Sequence, residues 1–107
     1  MSRYIVALTA CPESKAEGIA SKLVEDKLCA CVNIVHNVTS IYRWKGEIRN
    51  DNEVILIMKT EKRLQEALHD AMEKVHPYEL PELVVVPIEW GSRKYLEWIS
   101  DCVVDEP

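Results

Sequence analysis

The spacing of apolar residues switches between two periods along this chain, and the switches mark its elements. Tyr4 to Thr9 is apolar at nearly every position, as a strand covered on both faces requires. After Cys11-Pro12, residues Ala16, Ile19, Ala20, Leu23 and Val24 recur at helical spacing, with Glu13, Lys15, Lys22 and Glu25 off the stripe. Pro12 suits a first helical position, where a missing N–H costs nothing. From Cys31 to Trp44 the period becomes two, and Val32, Ile34, Val38, Tyr42 and Trp44 share one parity. Lys45-Gly46 predicts a tight hairpin turn, and the return strand runs from Glu47 to Lys59, with a bulge or kink expected at Asn50-Asp51-Asn52. Within that strand Val54 to Met58 is apolar at every position, so both of its faces need cover.

Thr60 is read as the cap of a second helix with the stripe Leu64, Ala67, Leu68, Ala71, Met72 and Val75. Pro77 ends it and forces His76 out of helical backbone. Tyr78-Glu79-Leu80-Pro81 is an extended connector to a fourth strand, Leu83 to Ile88. Ser92 then opens a terminal helix through about Asp101, with Tyr95, Leu96 and Ile99 expected inward. The order β-α-β-β-α-β plus one helix predicts an α+β, ferredoxin-like fold over residues 1–107: a four-stranded antiparallel sheet with two helices on one face. Its other face is left for the doubly apolar strand and the tryptophans at 44, 90 and 98 to close, through sister copies of the chain.

Composition narrows the function classes. At 107 residues there is room for one core, and 48 % hydrophobic content with three glycines and five prolines is ordinary for a folded domain. Only Val104 to Pro107 reads as a loose polar tail. A net charge of −5 argues against a nucleic-acid partner, which needs a basic face. The longest apolar run is far too short for a bilayer span, and residues 5–8 are too short for a signal-peptide core, so a cytoplasmic location is expected. Cysteines stand at 11, 29, 31 and 102 without zinc-finger spacing, and buried reduced thiols are the default expectation for all but Cys11.

Transition-metal chemistry needs imidazole, thiolate or carboxylate donors that converge. His76, Glu79 and Glu82, with Cys11 from the loop after the first strand, offer all three types, and a helix N-terminus is expected to make Cys11 a more acidic thiol. His36 and His69 lie on polar positions and carry a weaker signal. Arg43 and Asn33 suggest phosphate chemistry, yet residues 9–13 lack the glycines of a phosphate-cradling loop, so an acyl-phosphate enzyme is rejected.

Leu28-Cys29-Ala30-Cys31-Val32-Asn33-Ile34, Ser40-Ile41-Tyr42-Arg43-Trp44-Lys45-Gly46-Glu47, Glu53 to Thr60, His76-Pro77-Tyr78-Glu79-Leu80-Pro81-Glu82 and Tyr95-Leu96-Glu97-Trp98, in this order, resemble the CutA family of divalent-cation-tolerance proteins. The resemblance covers essentially the whole chain. It implies a homotrimer whose subunits extend one another's sheets, a response to metal ions with Cu(II) or another divalent cation bound, and no enzymatic reaction. It also implies kinship in fold with PII signalling proteins. The alternative function is therefore a small anionic effector held between subunits by Lys59, Arg43 and Lys45, with Trp44 stacked on it.

Overall fold

The computed structural model describes residues 3–105. Among them β1 (Tyr4–Cys11), α1 (Glu13–Glu25), β2 (Cys31–Trp44), β3 (Glu47–Glu61), α2 (Gln65–Val75), β4 (Val84–Pro87) and α3 (Arg93–Cys102) follow in sequence, with a 3-10 turn at Lys62–Leu64. The sheet order is β2-β3-β1-β4 and every pairing is antiparallel. The predicted ferredoxin-like order holds, and the doubly apolar β1 is central. No helix among the described residues is long and apolar enough to cross a membrane.

Alternation in β1 and β3 sends Ala7, Cys11, Val54, Leu56 and Met58 to the face on which α1 and α2 lie, where they meet Ala16, Ile19, Leu23, Leu68 and Met72. Val24, counted in the α1 stripe, is exposed instead. Thr60 is not a helix cap: it lies within β3, and its hydroxyl donates to the Leu28 carbonyl at 2.7 Å. The expected kink at Asn50-Asp51-Asn52 is absent, since these residues pair regularly with Ile41, Ser40 and Thr39.

The irregularity lies across the ladder. Val35 pairs with Ile55 and Val38 with Glu53, so His36 and Asn37 together oppose Val54. One extra residue in β2 reverses its parity. Before the bulge, Val32 and Ile34 sit opposite Met58 and Leu56 on the helix side. After it, Val38, Ser40, Tyr42 and Trp44 sit opposite Glu53, Asp51, Arg49 and Glu47 on the other side. The single stripe read from Val32 to Trp44 is therefore two stripes on opposite faces. Asn37 carries the strain with φ +59°, and Lys45 (+50°) and Gly46 (+80°) close the hairpin as expected.

α3 covers one end of the second face. Ile99 is buried with Ala30, Leu64 and Val103; Leu96 packs inward, whereas Tyr95 stays exposed and stacks near Trp98. The tail is docked as far as it is described. Val104 N–H donates to the Lys27 carbonyl at 2.8 Å, and Arg63 donates to the carbonyls of Val104 and Asp105 at 2.6 and 2.5 Å. Glu106 and Pro107 lie outside the described residues. Behind this clasp stands Glu61, whose side chain is 1 % exposed and which accepts from Arg63 at 2.7 Å and from Arg3 at 3.3 Å. Burial pushes the Glu61 carboxyl up. The Ser100 hydroxyl and the two arginines outweigh it and hold the group below the usual carboxylate range.

Two expectations follow from these contacts. Asn37→Val should cost about 1–2 kcal/mol because a β-branched residue resists left-handed backbone, whereas Asn37→Gly should be near neutral; urea denaturation measures both. The Glu61 carboxylate, with its folded pKa depressed, stabilises the fold fully above the unfolded value near ~4.3 and loses that contribution as pH falls through the folded value. Glu61→Gln should cost about 1.5–3 kcal/mol at neutral pH, with the gap to wild type closing in acid.

Candidate functional site

The reversed parity of β2 places Ser40, Tyr42 and Trp44 where the connector after α2 can meet them. Tyr78, Leu80 and Glu82 of that connector, Glu53 of β3 and the half-buried Trp44 enclose a cleft of about 460 Å³, with Arg43 and Ile41 at its margin. The volume lies in the range of small-molecule sites. The Tyr78 hydroxyl donates to Glu53 Oε2 at 2.5 Å, and the Tyr42 hydroxyl donates to Asp51. Burial, then the bond to Glu53, pushes the Tyr78 phenol well above its ordinary value; for Tyr42 the bond to Asp51 is the main cause of a rise. Both phenols are thus held as donors.

The connector is positioned by His76, 7 % exposed. Its Nδ1 accepts from Tyr78 N–H at 3.2 Å, which leaves Nε2 as the donor to the Ala10 carbonyl at 2.8 Å. The Thr9 hydroxyl donates to the Glu82 carbonyl at 2.5 Å and pins the far end. The ring that sequence reading offered as a metal donor is instead a brace between β1 and the connector, with both nitrogens engaged.

The other predicted donors do not gather round it. Cys11 lies in β1 with its side chain in the helix-face core, and burial, then the charge of Glu53, pushes its thiol up. This reverses the expected acidic thiol: Cys11 precedes the Pro12 cap and is desolvated rather than presented to the helix end. Glu79 is exposed and 3.9 Å from Lys45, and Glu82 is exposed at the cleft wall. Among the described residues no three His, Cys, Asp or Glu side chains converge to hold an ion. His36 lies 3.8 Å from Glu13 and His69 3.5 Å from Glu73, both at the surface.

Within one copy of the chain, Arg43 and Trp44 line the cleft and Lys59 lies elsewhere, so a meeting of all three is a matter of contact between copies. Arg43 pairs with Ile48, and Lys59 is at the far end of the same strand, roughly 35 Å away at the usual rise per residue, where it sits 5.7 Å over the Tyr95 ring. Lys45 lies 5.7 Å over the Trp44 ring. Sequence reading missed Glu53 and the part that Tyr78 plays in the cleft wall. The signal available was a glutamate directly abutting the doubly apolar run of β3.

The pattern described as CutA1 divalent ion tolerance protein matches residues 4–102. The chain belongs to the CutA1 family. Human protein CutA is 46 % identical over 94 residues, which are 87 % of this chain and 52 % of the human protein, so the chain spans about half the length of that relative. The solved divalent cation tolerance protein (CutA1) of Thermus thermophilus superposes with a TM-score of 0.91 at 43 % identity, covering 94 % of this chain and 99 % of the other. The PII-like protein CutA of Nostoc sp. PCC 7120, solved in apo form, gives a TM-score of 0.85 at 41 % identity over 89 % of this chain and 92 % of the other. The CutA1 fold expected from the motifs is thus shown.

The role of His76 is testable in this frame. His76→Ala leaves the Ala10 carbonyl and the Tyr78 N–H without their partner and should cost about 1–3 kcal/mol in denaturant unfolding, with faster amide exchange over the connector.

Proposed function

We propose that this protein is a homotrimer of the cytoplasm that serves divalent-cation tolerance by binding rather than by catalysis. The observation that carries the reading is the second face of the sheet. Beyond the end covered by α3, Val84 and Val86 are each 50 % exposed and Val35 is 42 % exposed, beside half-buried Val6, Leu8, Ile55 and Ile57. These positions share one face by register and form an apolar surface that a second and third copy would remove from water. Four unpaired cysteines suit a reducing compartment.

A Cys/His copper site does not fit one copy of the chain, because the Cys11 thiol is buried and both His76 nitrogens are bonded to backbone. What remains for Cu(II) or another divalent cation is carboxylate chemistry, with Glu79 and Glu82 at the exposed edge of the connector and further donors from a neighbouring copy. The alternative, an anionic effector as in PII-like signalling, draws support from the shape of the cleft and from Arg43, but Glu53 and Glu82 in its wall oppose an anion.

Sedimentation equilibrium at micromolar concentration should give three times the chain mass; a folded monomer would refute the reading. Titration calorimetry with Cu²⁺ should show binding that weakens about tenfold or more in Glu79→Gln/Glu82→Gln. Unchanged isotherms would remove the carboxylate site.

A further inference from the structure

The segment that follows α3 is held by groups outside it. Val103 is extended and 5 % exposed, buried with Ala30, Leu64 and Ile99, of which Leu64 and Ile99 are fully covered. Val104 N–H donates to the Lys27 carbonyl, while the carbonyls of Val104 and Asp105 both turn to one guanidinium. All three nitrogens of Arg63 are committed: Nη2 donates to Val104 at 2.6 Å, Nη1 to Asp105 at 2.5 Å and Nε to Glu61 Oε1 at 2.7 Å. A planar fork of this kind keeps its aim only while its back is fixed, and an ammonium cannot copy it. Glu61 is that fixed point, 1 % exposed, and its other oxygen accepts from Arg3 at 3.3 Å.

We propose that residues 103–105 are a releasable strap, with Arg63 as its latch and Glu61 as the acid-sensitive catch that keeps the latch aimed. The catch faces Arg3 ahead of β1, Arg63 in the turn after β3 and Ser100 of α3, whose hydroxyl also meets that of Tyr4 in β1 at 2.7 Å. A charged Glu61 draws in both arginines. Once it is protonated, an acceptor becomes a donor, Arg63 Nε loses its charged partner, and the fork swings away from the two carbonyls. Burial raises the Glu61 carboxyl, but Ser100, Arg63 and Arg3 hold it below its ordinary range. The strap is therefore shut above that range and loosens as pH falls through the depressed value. Release uncovers Leu64 and Ile99 and leaves the core of Leu56, Met58, Leu68 and Met72 in place, so it is a local opening and not unfolding. The inference does not rest on cation tolerance: copper titration and sedimentation read other groups, so either proposal can fail alone.

The test is residue-resolved amide hydrogen exchange on the full-length protein. Val104 N–H reports on the strap, and the amides of Leu56 and Met58 report on the core. At neutral pH, Arg63→Met should speed exchange at Val104 about tenfold or more with the core amides unmoved. Arg63→Lys, which keeps the charge but not the fork, should speed it severalfold. In the wild type, protection of Val104 relative to its intrinsic rate should fall in acid before that of the core. In Glu61→Gln it should already be low at neutral pH and no longer follow pH through the carboxylate range. If Glu61→Gln does not fold, the Arg63 variants and the wild-type pH series decide. Unchanged exchange at Val104 in Arg63→Met would overturn the proposal. So would equal acceleration of strap and core, or full protection in Arg63→Lys.

Discussion

One extra residue in β2 sets the rest of this structure. A strand presents side chains to alternate faces, so an insertion that leaves the partner strand unbroken turns everything beyond it over. His36 and Asn37 against Val54 are that insertion. On one side of it β2 contributes aliphatic residues to the core beneath the helices. On the other it contributes Tyr42 and Trp44 to the opposite face, and its helix-side positions become Thr39, Ile41 and Arg43, with Ile41 69 % exposed. The core ends where the bulge lies. Past it the hairpin is a long arm whose aromatic side faces the connector, and the cleft exists because of that reversal.

The connector meets this arm because β1 holds it from below. His76 and Thr9 fix its two ends to backbone carbonyls, so Tyr78 is carried to Glu53 by a brace rather than by burial of its own ring. The energy of the arrangement is local and polar. The core of Leu56, Met58, Leu68 and Met72 supplies the platform, and hydrogen bonds decide where the wall of the cleft stands.

The legible part of the fold was the part written in period. Helical stripes at Ala16 to Leu23 and Leu68 to Met72, the turn at Lys45-Gly46 and the strand order all follow from spacing and turn chemistry, and the motifs in order gave the family. What spacing could not give was the bulge. Val32, Ile34, Val38, Tyr42 and Trp44 keep an even count whether or not a residue is skipped by the partner strand, and Asn37 is a weaker sign of left-handed backbone than glycine. The site suffered for the same reason. The donors at 11, 76, 79 and 82 were read from residue type alone, but chemistry depends on which atoms remain unengaged. A histidine before proline can spend both nitrogens on the turn it helps to shape, and a cysteine one residue before the cap can face inward. Glu53 escaped notice because its burial in the cleft wall is a property of three-dimensional neighbourhood.

Glu61 also joins the two ends of the described chain. Arg3 reaches it from the start of β1, and through Arg63 it is linked to the carbonyls of Val104 and Asp105. Arg3 and the segment Val104-Asp105 thus share a single anchoring group although nearly the whole sequence separates them. Fraying at one end removes a partner that helps hold the other, so local opening at the two ends is coupled as one cooperative event.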